Sequence, residues 1–366
     1  MKIALVHDYL IQDGGAERVL QVFQEMFPEA PTFVLFHDPK RVGPAFDGKD
    51  IRTSFLQQVP FGLKAYKWLL PLMPAATEHY DLSGFDVILS STSAFAKGVI
   101  TRPETIHICY CHTPTRYLWS DTHTYINDLN LPTPAKRLVQ GSLSRIRLWD
   151  RMAADRVDRF IANSETVQRR IRKYYGRDSA VIHPPVETDR YAVAPDGPGG
   201  YYLAGGRLVA YKRFDIAVKA FSKLEVPLKV FGEGPELPRL KRLAGKNVEF
   251  LGKVDEATKA ELYRNALAYL NPQEEDFGIT TVEAMASGRP VIAYRKGGAT
   301  ETVIEGVTGE FIDEQSWEEL GNTIIRFQPE KYDPAAIRQH AEKFSTERFK
   351  REIENFIRNE VSRRNG

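Results

Sequence analysis

Two carboxylates, Glu275 and Glu283, stand eight positions apart in the segment EEDFGITTVEAMASG (274–288). Gly278 and two threonines lie between them, where a helix from about Ile279 to Ala286 is expected to begin. Glu275 then falls in a loop and Glu283 about two turns inside the helix, on the order of 10 Å away at ~1.5 Å per residue. Ionised carboxylates only accept hydrogen bonds, and each takes two protons from a diol. The unpaired N–H groups from Gly278 to Thr281 favour an anion such as phosphate. A sugar nucleotide has this order of parts: a polyol, a diphosphate and a ribose.

A second anion site is expected in GGRLVAYKRFD (205–215), where two glycines end a strand and Arg207 and Lys212 follow. The chain has no Asp-x-Asp pair, the usual metal–diphosphate ligand, so these two cations are the candidates for neutralising a departing diphosphate, and no metal or cofactor is expected. Gly14-Gly15 in DGGAERV (13–19) opens a helix and forms a third candidate cradle; Gly234 in VFGEGPEL (230–237) adds a further turn after a strand.

These residues need a scaffold, and the chain reads as an alternation of short apolar runs with helical patterns. Strands are expected at 2–9, 31–36, 85–91, 106–112, 159–164 and 180–185, and again at 201–208, 228–234, 248–252, 267–272 and 290–297. Val19, Val22, Phe23 and Met26 recur at helical spacing in 16–27. The class is α/β, with parallel sheets covered by helices, and ligands gather at the carboxyl ends of such strands. The Pro- and Gly-rich stretch 184–200 suits a hinge. Two Rossmann-like domains facing across a cleft are expected, at 1–185 and 186–345, followed by an amphipathic helix within 346–366. A length of 366 residues agrees with two domains.

The charge balance of +2 argues against a nucleic-acid binder. Cys109 and Cys111 share one face of a strand, so a disulfide framework is not expected and a reducing, cytoplasmic compartment fits. A metal site from these thiols and His112 is disfavoured, because alternation puts His112 on the other face. No apolar run reaches the ~20 residues of a membrane span. Two stretches bear on a membrane surface: the apolar 61–74, and 145–177 with ten basic and four acidic residues. Docking on anionic lipid at the inner face of the plasma membrane is one reading of each; a core helix and a solvated helix face is the other.

Taken together, the motifs resemble glycosyltransferase family 4, retaining enzymes of the GT-B fold. Its Glu-x7-Glu motif corresponds to Glu275 and Glu283, its Arg/Lys pair to Arg207 and Lys212, its N-terminal glycine loop to Gly14-Gly15, and its interdomain histidine to His112 in CHTPTRYLW. The resemblance spans nearly the whole chain, and in that fold the last helix crosses back to the first domain. It implies that Glu275 bonds donor-sugar hydroxyls, Glu283 the ribose, and the backbone at Phe277, Gly278 and Ile279 with Thr280 the sugar and phosphates. It also implies that Arg207 and Lys212 stabilise the leaving diphosphate. His112 would touch the sugar near its hydroxymethyl group, and turns at Gly234, Gly252 and Val254 would hold the base.

The family reaction keeps the anomeric configuration. Double displacement needs a carboxylate nucleophile; the family has no consistent candidate, and the favoured account is a front-face reaction driven by positioning and charge. HTPTRYLW resembles bacterial mannosyltransferases of O-antigen and exopolysaccharide synthesis, hence GDP-mannose as donor and a glycan or lipid-linked acceptor in lipopolysaccharide or related biosynthesis. Open alternatives are a UDP-glucose or UDP-hexosamine donor, a sugar-nucleotide epimerase or hydrolase on the same fold, and a donor binder without catalysis. A Rossmann oxidoreductase is a poor match, because Leu237 occupies the last glycine position of GEGPEL.

Overall fold

The computed structural model describes residues 1–366 apart from 61, 64, 65, 129–131, 196 and 366. The chain divides into two compact units, Met1–His183 with Lys350–Gly366, and Pro184–Phe349.

The first unit is built on seven parallel strands: β1 (Ile3–His7), β2 (Thr32–Val34), β3 (Ile51–Thr53), β4 (Val87–Thr92), β5 (Ile106–Cys111), β6 (Arg159–Ala162) and β7 (Ser179–Val181). Their spatial order is β3-β2-β1-β4-β5-β6-β7. Every residue of β4 and β5 is buried, His107 included, as expected of central parallel strands covered on both faces. The sequence order reverses between β1 and β4, whose registers pair Ile3 with Val87 and His7 with Ser91.

The second unit repeats the plan with β8 (Tyr201–Gly205), β9 (Leu228–Phe231), β10 (Val248–Gly252), β11 (Ala266–Asn271), β12 (Val291–Tyr294) and β13 (Gly309–Ile312). Its order, β10-β9-β8-β11-β12-β13, reverses between β8 and β11. In an open parallel sheet the two connections at such a reversal leave in opposite directions and open a crevice at the strands' carboxyl ends.

All eleven expected strands are present. Two further ones, β3 and β13, close the sheet edges. β3 is three residues long and only half-buried, so it has no apolar run to betray it. The expected strand at 180–185 stops at Val181, before the Pro184-Pro185 pair that has no N–H to donate.

The tail forms a helix over Thr346–Asn365, with Ile353 and Ile357 buried one turn apart. Within the first unit it is held by Lys350 Nζ to Glu25 Oε2 at 3.1 Å and by Arg159 Nε to Glu360 Oε2 at 2.6 Å.

Candidate active site

In the second unit the expected residues gather at the β8/β11 reversal. Lys212, just before the helix Phe214–Leu224, reaches Glu275 in the loop after β11, Nζ to Oε1 2.5 Å, with both side chains 14% exposed. Burial pushes the Lys212 ammonium down, but the charge and hydrogen bond of Glu275, helped by Tyr211, outweigh it and leave the pKa raised. Arg207 is exposed and donates to the Tyr211 hydroxyl at 3.1 Å, so both cations stand on the turn that follows β8.

The loop carrying Glu275 is pinned from outside. Glu275 forms an isolated parallel bridge with Gly297, and Gly298 N–H donates to the Glu275 carbonyl at 2.8 Å. Gly278 caps the helix Ile279–Ala286 at φ +92°, a left-handed conformation that other residues rarely adopt. A Cβ there would stand 3.3 Å from Glu275 Oε2 and 3.2 Å from Thr281 Oγ1. The glycine thus lets the carboxylate lie against the helix N-terminus. Thr281 is fully buried and its hydroxyl has no partner among the described residues. Ile279 and Thr280 are half-buried at this first turn, and Phe277 is buried against Phe344.

Three glycine turns are stitched together beside this corner. Gly206 N–H donates to the Phe231 carbonyl at 3.1 Å, Leu208 N–H to Glu233 at 2.8 Å, and Gly232 N–H to Gly252 at 2.6 Å. Gly232 has φ +113°, and a methyl on it would overlap the Gly206 carbonyl oxygen, so backbone approaches backbone with no room for a side chain. Gly234, Gly252 and the half-buried Val254 therefore lie at neighbouring strand ends.

Glu283 is 1% exposed, so its carboxylate is not solvated as that of a surface helix residue would be. Its carboxylate accepts from Lys259 Nζ and from the Tyr263 hydroxyl, both at 3.1 Å. Lys259 and Tyr263 lie one turn apart on the helix Glu256–Arg264. Tyr263 packs on Tyr269 with centroids 5.4 Å apart, and the Tyr269 hydroxyl donates to the Gly205 carbonyl at 2.9 Å. Glu283 is thereby tied to the glycine turn after β8. Sequence reasoning missed Lys259 and Tyr263, for which their i, i+4 spacing was the local signal; the paired glycines of KGGATETV (296–303) stand out in the sequence as a turn before a helix, but not their bracing of Glu275.

In the first unit the corresponding reversal, between β1 and β4, holds His112, which follows β5. Its Nε2 lies 2.8 Å from Ser91 Oγ, and the same hydroxyl lies 3.1 Å from His7 Nδ1. Burial, then the nearby His7, pushes His112 down to about 3. Asp8 follows β1 and accepts from the backbone N–H groups of Ser93, Ala94, Phe95 and Ala96, which clamps the loop after β4. Gly14 caps the helix Gly15–Met26 with extended backbone, and Glu17 in its first turn is buried. A Cβ on Gly14 would stand 3.0 Å from Glu17 Oε2, so a carboxylate already faces this candidate cradle. His7, Ser91 and Glu17 were not singled out from the sequence.

Cys109 and Cys111 are free, buried thiols on β5, and burial pushes Cys109 up to about 12. Among the described residues, no three His, Cys, Asp or Glu side chains are grouped to hold a metal ion, and no helix is long and apolar enough to cross a membrane.

Comparison with known proteins agrees with this geometry. Residues 13–190 match the model described as Glycosyltransferase Family 4, and residues 186–344 that described as Glycosyl transferases group 1. The chain is 30% identical over 182 residues to a phosphatidyl-myo-inositol mannosyltransferase of Mycobacterium leprae, covering 45% of this chain and 48% of the relative. It is 30% identical over 181 residues to a GDP-mannose-dependent alpha-(1-6)-phosphatidylinositol monomannoside mannosyltransferase of Mycolicibacterium smegmatis, covering 41% and 47%. The chain thus spans about half the length of the curated relatives it matches.

Among solved structures, Anabaena HepE in complex with UDP-glucose superposes with a TM-score of 0.71 at 19% identity, over 98% of this chain and all of that one. Sucrose-phosphate synthase from Thermosynechococcus elongatus gives 0.75 at 16%, over 98% and 99%. Two parallel α/β sheets, a Glu-x7-Glu corner at the reversal of the second and a match to both halves lead to one assignment: the chain belongs to glycosyltransferase family 4 and has the GT-B fold.

Proposed function

We propose that this chain transfers a mannosyl group from GDP-mannose to a glycan or lipid-linked acceptor in cell-surface polysaccharide assembly, with retention of configuration. The observation that carries the transferase reading is the Lys212–Glu275 pair beside Gly278 and the stitched glycine turns. Glu275 bonds sugar hydroxyls. Lys212 and Arg207 take the charge of the leaving diphosphate, so no metal or other cofactor is required. Glu283 serves the ribose, and His112 orients the sugar. The leaving phosphate takes the acceptor's proton on the same face, so these residues act by positioning and charge.

Mannose is favoured by the two relatives named as mannosyltransferases, one of them GDP-mannose-dependent. A UDP-glucose donor is the second reading, favoured by the fold shared with a protein solved in complex with UDP-glucose.

A lipid-linked acceptor is supported by the helix Thr133–Asp155. Leu143 and Ile146 face the core, whereas Leu138, Leu148 and Met152 are 77%, 65% and 57% exposed and share one face with Arg145. An apolar stripe with basic residues suits peripheral contact with anionic lipid on the cytoplasmic face. Residues 61, 64 and 65 of the other candidate stretch lie outside the described residues; within it Trp68 and Leu72 are exposed.

The test is a panel of nucleotide sugars ranked by melting-temperature shift, followed by NMR of the anomeric proton of any product. GDP-mannose is expected to give the largest shift, because a ligand stabilises the state that binds it. A larger shift with UDP-glucose moves the reading to the second donor, and no shift with any nucleotide sugar ends it.

A further inference from the structure

We infer that Glu17, His7 and Ser91 fix His112 in the tautomer protonated at Nε2, leaving Nδ1 as a bare acceptor for a substrate hydroxyl. The four side chains form one buried polar chain. Glu17, His7, Ser91 and His112 are 3%, 3%, 0% and 9% exposed. Glu17 Oε1 faces His7 Nε2 at 3.9 Å; His7 Nδ1 and His112 Nε2 share the Ser91 hydroxyl at 3.1 and 2.8 Å. Gln12 Nε2 donates to the same Glu17 oxygen at 3.3 Å, which marks that oxygen as an acceptor.

A neutral imidazole has one donor and one acceptor, and a hydroxyl donates once. With both imidazoles neutral and the Ser91 proton given to one of them, the chain has two polarities. In one, His7 turns Nε2–H toward the carboxylate, its bare Nδ1 accepts from Ser91, and Ser91 accepts from His112 Nε2–H. In the other, all protons are reversed, and a bare His7 nitrogen faces a buried carboxylate oxygen. The second sets two lone pairs against each other where no water screens them, so the first prevails. His112 Nδ1 makes no hydrogen bond among the described residues and is left free to accept. Tyr110 braces the ring edge-on, centroids 5.3 Å apart. His7, Ser91 and Glu17 are positioning residues in this scheme, since they act through His112.

The inference rests on the reading that His112 touches the sugar, yet its test is made on the protein alone. The full chain is labelled with 15N-histidine and its ring nitrogens are observed by NMR near neutral pH, with His112 assigned from the signals lost in His112→Gln. The expected result is a protonated Nε2 and a bare Nδ1. Ser91→Ala and Glu17→Gln, checked for cooperative melting, should each move both nitrogens toward intermediate shifts. Protonation at Nδ1 in the unsubstituted chain overturns the inference, as does an unchanged His112 in both folded variants. If neither variant folds, the unsubstituted spectrum decides alone. Absence of mannosyl transfer would leave this result intact, so the two readings fail separately.

Discussion

Lys212 and Glu275, 63 residues apart in sequence, form an ion pair at 2.5 Å that joins the loops after β8 and β11. One ammonium thus touches the carboxylate proposed to bind the sugar and is itself proposed to meet the diphosphate. Lys212→Ala and Glu275→Ala should each lower kcat/KM by ~10²–10³, the scale of losing one preorganised charge partner. Because the two touch, the double variant should lose less than the product of the single losses. Steady-state kinetics on folded variants decides it: losses under about threefold in both would remove them from the transition state.

Glu283 is expected to behave differently, since its carboxylate is buried against Lys259 and Tyr263. Glu283→Gln leaves the nearly buried Lys259 with the exposed Glu256, at 2.8 Å, as its one carboxylate partner among the described residues. Breaking a buried pair typically costs about 3–5 kcal/mol, and the remaining partner puts this case at the lower end. Urea denaturation should show a lower midpoint for Glu283→Gln and a smaller change for Glu275→Gln. Equal midpoints would mean that Lys259 finds full compensation from Glu256.

Two histidines bear on acid stability. His107 and His112 are both pushed by burial to about 3, from an ordinary 6.5. As pH falls below 6.5 the unfolded chain protonates them while the folded chain does not, so the unfolded state binds more protons. Stability is therefore lost progressively between pH 6.5 and about 3, and it does not return on further acidification. His107→Gln should flatten that slope in denaturation midpoints measured across the window; an unaltered slope would mean His107 is charged when folded. For the same reason the rate profile near neutral pH should contain no step from His112.

The helix Thr133–Asp155 supplies the remaining prediction. Leu148→Glu and Leu138→Glu replace exposed apolar side chains with charge that anionic lipid repels. Flotation with anionic vesicles at low salt should retain the unsubstituted chain and release the double variant, while transfer to a water-soluble acceptor stays unchanged. Failure of the unsubstituted chain to float would dismiss the membrane reading.

What the sequence determined by itself was local. Strand and helix periodicity identified eleven of the thirteen strands among the described residues and the helix Ile279–Ala286, because each depends on residues within one turn or one pleat. The placing of Glu275, Gly278 and Glu283 on a strand–loop–helix corner followed from the same neighbourhood. Tertiary structure alone decided the partners. Glu275 finds Lys212 because β8 and β11 are neighbours, and His7 finds Ser91, 84 residues on, because β1 lies beside β4. No spacing encodes those meetings, since sheet order is set by which buried strands pair and not by their order in the chain. Glu283 is the clearest case: its helix position was legible, yet its burial arises from Lys259 and Tyr263 on another helix packed over it.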